Sequence, residues 1–141
     1  MAEETSLTFD FIPVDPETGV LNYEILKNLK EHELSLISGF VFPQVNSMGL
    51  LEDVDLLADF CSSNQIRSIA CIDPMLLGTG GLKPPTNFGE KGADFIVGEA
   101  QHLAIGANFG GPGLGLFGCR HNQTNTRDLR SSPGRYIGKA K

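Results

Sequence analysis

Asp94-Phe95-Ile96-Val97-Gly98-Glu99-Ala100-Gln101-His102-Leu103, continued by Phe109-Gly110-Gly111-Pro112-Gly113-Leu114-Gly115-Leu116-Phe117, decides how the chain is read. Phe95 to Gly98 is an apolar run short enough for a buried strand, and it ends in a polar cluster. A glycine-rich turn follows and a second apolar run returns. Two strands are therefore expected to meet beside one polar loop. In open α/β sheets ligands sit at the carboxyl ends of the strands, so this loop is where a site is sought first.

Upstream, Leu7 to Val14 alternates bulky apolar with polar residues and reads as a strand with one buried face. Asp15-Pro16-Glu17-Thr18-Gly19 is a turn, with proline presetting φ. A helix capped by Asn22 should follow, with Ile25, Leu26 and Leu29 on one side and Lys27, Lys30 and Glu31 on the other. Leu34 to Pro43 is nearly continuous in apolar residues, as in a strand covered on both faces. Glu52 to Asn64 has helical periodicity with acids in its first turn, and Ser68 to Ile72 is a further buried strand closed by Asp73-Pro74. Strand, helix, strand, helix, strand is the pattern of parallel crossovers, so the fold class is α/β with a mostly parallel sheet and flanking helices. Between Gly78 and Gly92, glycine and proline leave room for a loop and at most one helical turn. Gln123 to Ser132 is polar and turn-rich, and the basic stretch 121–141 is expected to be partly flexible.

The chain has 141 residues, enough for one domain, and residues 1–138 are assigned to a single α/β domain. A charged fraction of 20% and a hydrophobic fraction of 40% fit a globular protein. No window approaches the ~20 apolar residues of a membrane helix, so no membrane partner is expected. The net charge of -6 argues against a nucleic-acid partner, because phosphate binding depends on clustered Lys and Arg. Three cysteines, Cys61, Cys71 and Cys119, are odd in number and lack metal-ligand spacing, so neither a disulfide framework nor a metal site is indicated. Met1-Ala2-Glu3-Glu4 has no basic or apolar signal region, and a cytoplasmic location is expected.

Gly98-Glu99-Ala100-Gln101-His102-Leu103 followed by Phe109-Gly110-Gly111-Pro112-Gly113-Leu114-Gly115 resembles the glycine cleavage system P-protein, the decarboxylating glycine dehydrogenase, in its first half or subunit 1. Asp73-Pro74-Met75-Leu76-Leu77-Gly78, Leu82-Lys83-Pro84-Pro85 and Pro133-Gly134-Arg135-Tyr136-Ile137-Gly138 are similar to the family's flanking motifs, in the same order. The resemblance implies part of the large domain of a type I pyridoxal phosphate enzyme. A complete first-half subunit is several times longer, so it also implies a piece of that subunit.

By this resemblance the parent activity decarboxylates glycine and passes the aminomethyl group to the lipoyl arm of the H-protein. Pyridoxal phosphate needs an internal lysine for its Schiff base and an aspartate for its ring nitrogen. Where the lysine is expected after Phe95 to Gly98, the chain has Glu99, Ala100, Gln101, His102 and Leu103, and no lysine follows until Lys139. The first-half subunit of the family shares the fold and lacks that lysine. The expectation is therefore a structural or interface-forming half, inactive alone, with the cofactor held by the other half and none on this chain. Its partners would be a second-half subunit or another copy of itself, and the H-protein through the assembled enzyme. No residue is assigned a catalytic role.

Vestigial cofactor positions are Asp73, Gln101, His102, Gly110 and Gly111, each beside a plainer reading. Asp73 stands about where the ring-nitrogen aspartate would be, or caps the turn that follows it. His102 has useful basicity but no acidic partner at short spacing. Gly110 and Gly111 present backbone N–H groups to a phosphate, or only permit a tight turn. Lys83 is a loop residue on composition and lies near a subunit interface by resemblance. A reading from a different class is a stand-alone, non-catalytic α/β module that binds a small anion or a protein partner.

Overall fold

The computed structural model describes residues 7–107, 109–111 and 113–130. Its elements run α1 (Tyr23–Asn28), α2 (Glu31–Leu34), β1 (Gly39–Pro43), α3 (Val54–Ser63), β2 (Arg67–Ile72), β3 (Phe95–Glu99), α4 (Gln101–Ala104), β4 (Gly115–Cys119) and α5 (Gln123–Arg130). Single 3₁₀ turns at Pro74–Leu77 and Pro85–Asn87 lie between β2 and β3. The sheet order is β1-β2-β3-β4. The first three strands are parallel and β4 returns antiparallel to β3, with Phe95 opposite Cys119 and Glu99 opposite Gly115. The mixed α/β architecture with a mostly parallel sheet is as expected.

Alternation along β2 buries Ser68, Ala70 and Ile72 on one face and leaves Arg67, Ile69 and Cys71 half-buried on the other. The buried face packs on α3, whose Leu57, Ala58 and Cys61 join Phe42, Ala70 and Ile72 in one core. Phe88 reaches into this core from beside the second 3₁₀ turn, its ring 6.5 Å from that of Phe42. Asp53 starts α3 by accepting from Leu56 N at 3.0 Å, so the helix begins after Glu52 rather than at it. Asn22 caps α1 as expected, accepting from Glu24 N at 3.2 Å, and Leu26 is buried in the core.

Glu52 does different work. Only 8% exposed, it accepts from Leu21 N at 3.1 Å, Tyr23 Oη at 2.8 Å and Asn46 Nδ2 at 2.9 Å. Asn46 also donates to Gly19 O at 2.8 Å and accepts from Met48 N and Leu50 N. The loop after β1 is thereby tied to the segment entering α1. Burial and Glu52 together push the Tyr23 phenol up to about 12, against the partial relief of the hydrogen bond from Asp53 N.

Three expectations are corrected. Leu7 to Val14 forms no ladder: its only pairing is an isolated bridge from Val14 to Leu21, and Phe9 and Phe11 are exposed. Alternation buries side chains only where a neighbouring strand offers a face, and among the described residues none does. The apolar run Leu34 to Pro43 is divided, because Lys30 N donates to Glu33 Oε2 at 2.8 Å and starts α2, which takes Leu34. The strand that remains lies at the sheet edge with Val41 55% exposed, so it is not covered on both faces. The Gly78 to Gly92 stretch, by contrast, is a loop with one 3₁₀ turn, Pro85–Asn87, as expected. Finally, the polar stretch after Asn122 contains a helix, α5. Asn122 Oδ1 accepts from Asn125 N at 2.7 Å and starts it. Asn125, wholly buried, donates to Asp94 Oδ1 at 3.1 Å while Asp94 Oδ2 accepts from Ser68 N and Oγ, which anchors α5 to the starts of β2 and β3. The flexibility expected of 131–141 concerns positions outside the described residues.

Candidate functional site at the carboxyl ends of the strands

β1, β2 and β3 end side by side, and the segments leaving them enclose a cleft of about 430 Å³. Gln44 and Val45 enter it after β1, Asp73 and Leu76 after β2, and Glu99 and His102 after β3. Close approach of β3 to β2 requires glycine at 98, where a Cβ would meet the backbone carbonyl of Ile72. Leu76, Val45 and Ile72 make one wall apolar, and the acids Asp73 and Glu99 make the remainder polar. Burial pushes the thiol of Cys71, at the cleft floor, up from its ordinary value, which keeps it in the unreactive protonated form.

Asp73 caps the first 3₁₀ turn by accepting from Met75 N at 2.9 Å. The same Oδ1 lies 3.1 Å from His102 Nε2. The acidic partner that His102 lacks at short sequence spacing is thus supplied from 29 residues away, by the convergence of two strand ends. Their side chains are 38% and 49% exposed, so the pair is a surface ion pair of modest strength, typically ~0.2–1 kcal/mol when His102 is protonated.

Gln101 turns elsewhere. Its Oε1 accepts from Leu114 N at 3.1 Å and lies against Gly113, holding the strand that leads into β4. Gly110 is in the left-handed region with φ 86°, and Gly110 and Gly111 are exposed in the turn and do not line the cleft. Of the five expected positions the structure therefore brings Asp73 and His102 together and leaves Gln101, Gly110 and Gly111 apart from them. Lys83 is paired, its Nζ 2.6 Å from Asp55 Oδ2, and Asp55 also accepts from Gly89 N, which clasps the glycine-rich loop to α3. The hydrogen bond from Lys83, then that from Gly89, holds the Asp55 carboxyl below its ordinary value.

Gln44 was not singled out by sequence reasoning. It is 6% exposed, its backbone N–H donates to Cys71 O, and its Nε2 donates to Lys83 O at 2.8 Å. A polar residue directly after an apolar strand was the available signal.

The cleft does not fit covalently held pyridoxal phosphate. No lysine lines it, and the Asp73 oxygen nearest His102 is already engaged by Met75 N. No group of three His, Cys, Asp or Glu side chains suited to a metal occurs among the described residues. Nor is any helix among them long and apolar enough to cross a membrane.

Residues 16–141 match the family model "Glycine cleavage system P-protein". The probable glycine dehydrogenase (decarboxylating) subunit 1 of Coxiella burnetii is 34% identical over 139 residues, which cover 99% of this chain and 29% of that protein. The subunit 1 of Nitrosospira multiformis is 40% identical over 128 residues, covering 91% of this chain and 26% of that protein. Among solved structures, a glycine decarboxylase (P-protein) of the glycine cleavage system in inhibitor-bound form superposes with a TM-score of 0.68 at 28% identity, over 90% of this chain and 25% of that one. The chain thus spans between a quarter and a third of the length of the relatives it matches. With the match extending from the turn before α1 to the last residue, and the sheet superposing on that of a P-protein, the chain belongs to the glycine cleavage system P-protein family.

Proposed function

We propose that this chain is the sheet-and-cleft portion of a decarboxylating glycine dehydrogenase of the subunit 1 kind. It builds the enzyme's frame and carries none of its covalent chemistry. The observation that supports this is a P-protein sheet whose carboxyl-end cleft is walled by Gln44, Asp73, Glu99 and His102 with no lysine among its lining. When bound, pyridoxal phosphate supplies the electron sink for loss of the glycine carboxylate, and in this reading it is held on a second-half subunit. What these residues contribute is shape: Asp73 and His102 link the segments after β2 and β3, and Gln101 fixes the approach to β4. The assembled enzyme would hand its aminomethyl product to the lipoyl H-protein. Three free cysteines fit a reducing cytoplasm.

The test is carbon dioxide release from carboxyl-labelled glycine with added pyridoxal phosphate, H-protein and lipoyl acceptor, alongside native mass spectrometry. The chain alone should release none and take up no stoichiometric cofactor, and it should form a heteromeric complex with a second-half subunit. Release of carbon dioxide by the chain alone, or one cofactor retained per chain, would falsify the proposal.

A further inference from the structure

Two parts of the chain have strand character and lack a strand partner. Residues 7–11 alternate apolar with polar, and Leu7, Phe9 and Phe11 are each more than half exposed. The backbone of this segment makes no hydrogen bond among the described residues. Its far end is anchored: Ile12 packs against the core, Pro13 O accepts from Asn22 N, and Val14 bridges Leu21. The second part is the outer edge of β1. Ser38 O accepts from Arg67 N and Gln44 N donates to Cys71 O, so the even-numbered residues here turn their peptide groups to β2. Those of Gly39 and Val41 therefore point outward, where no strand meets them among the described residues.

The two parts match. β1 has five residues, the length of the free segment. On its α3 side the rings of Phe40 and Phe60 meet edge-on at 6.4 Å and both stay half-buried, so a strand laid outside β1 has aromatic surface to cover. The other edge strand, β4, has glycine at 115 and 118, little side chain to pair with, and α5 beside it. Within one chain the segment stands unpaired although its own β1 edge is free. We infer that residues 7–11 of one copy add as a strand to the β1 edge of a second copy. Leu7, Phe9 and Phe11 then lie beside Phe40 on the α3 side, and Thr8 and Asp10 fall beside Val41 on the uncovered side. Main-chain hydrogen bonds hold such an added strand and alternate side chains set its register. The inference rests on the sheet edge and not on the family reading, so the two fail separately.

The test is amide hydrogen exchange of the 141-residue chain over a dilution series, with sedimentation velocity on the same samples. The expected result is that the Val41 amide and alternate amides of residues 7–11 exchange freely when dilute and become protected together as the associated species forms. The double variant Phe9→Lys, Phe11→Lys changes two exposed side chains and so keeps the fold. It should raise the concentration at which the chain associates about tenfold or more and remove both sets of protected amides. Association unchanged in the double variant, or a Val41 amide that stays in free exchange while the chain associates, would overturn the inference. So would protection of residues 7–11 at every dilution, which means pairing within one chain, or a chain that remains a monomer at the highest concentration.

Discussion

At the scale of single residues, Glu52 carries a negative charge into a site only 8% exposed, and it is tolerated because three donors meet it. Tyr23 ties it to the start of α3, donating to Glu52 Oε2 and accepting from Asp53 N at 2.8 Å. Replacing Tyr23 by Phe removes both bonds and leaves the carboxylate one donor short, so the urea midpoint should fall by the equivalent of about 1–3 kcal/mol. The same residue sets an alkaline slope. Its folded pKa is raised from 10.0 to about 12, so the folded state holds the phenolic proton more tightly than the unfolded state. The resulting stability is complete below pH 10 and is lost as pH rises through about 12. Tyr23→Phe should therefore flatten stability against pH across that window, and a difference curve against the parent chain isolates the contribution from lysine titration. Asp55 has the opposite sign. Its lowered pKa stabilises the fold above its ordinary value of 3.8 and ceases to do so as pH falls through the lower folded value. Because Asp55 and Lys83 are about half exposed, Lys83→Met should cost no more than ~1 kcal/mol at neutral pH, and the loss should vanish in acid titrations followed by circular dichroism.

Among the elements, β3 carries the most information per residue. Gly98 has its neighbour's backbone where a side chain would go, so Gly98→Ala forces β2 and β3 apart at the floor of the cleft. A cost of about 1–3 kcal/mol is expected, outweighing the ~0.4–1 kcal/mol that alanine gains by restricting the unfolded chain. A urea midpoint equal to or above that of the parent would show instead that the strands give way easily. β3, β4 and the turn between them were legible in the sequence because short apolar runs bounded by glycine have few other readings. The helix α5 was not, since its determinants are one cap, Asn122, and one buried amide, Asn125, whose partner Asp94 lies 31 residues away. The Asp73 to His102 pair escaped for the same reason: local spacing carries no record of which strand ends become neighbours. Leu7 to Val14 failed differently, for its alternation is real but specifies a side without supplying a neighbour.

For the whole molecule, the decisive asymmetry is between the two faces of one sheet. Parallel strands are ordinarily covered on both sides. Here one side meets α3, and the other presents Val41, Ile69, Cys71, Val97 and Phe117, with Val41 and Phe117 more than half exposed. The edge of β1 beyond Val41 is also unpaired among the described residues. Apolar faces and free edges both promote association, so sedimentation velocity of the 141-residue chain should show assembly that grows with concentration in the micromolar range. Two substitutions separate the causes. Val41→Lys places a charge on the open face at the β1 edge strand, and Phe117→Lys places one on the same face at β4, the opposite edge strand. Loss of association in both variants, with melting temperatures near the parent's because both positions are exposed, identifies as the contact the open face they share or a pairing of the β1 edge with the β4 edge. Loss in Val41→Lys alone identifies strand addition at β1. A parent chain that sediments as a monomer at every concentration would show that neither surface is adhesive, and the sheet would then be closed only by a partner whose own surface is shaped to it.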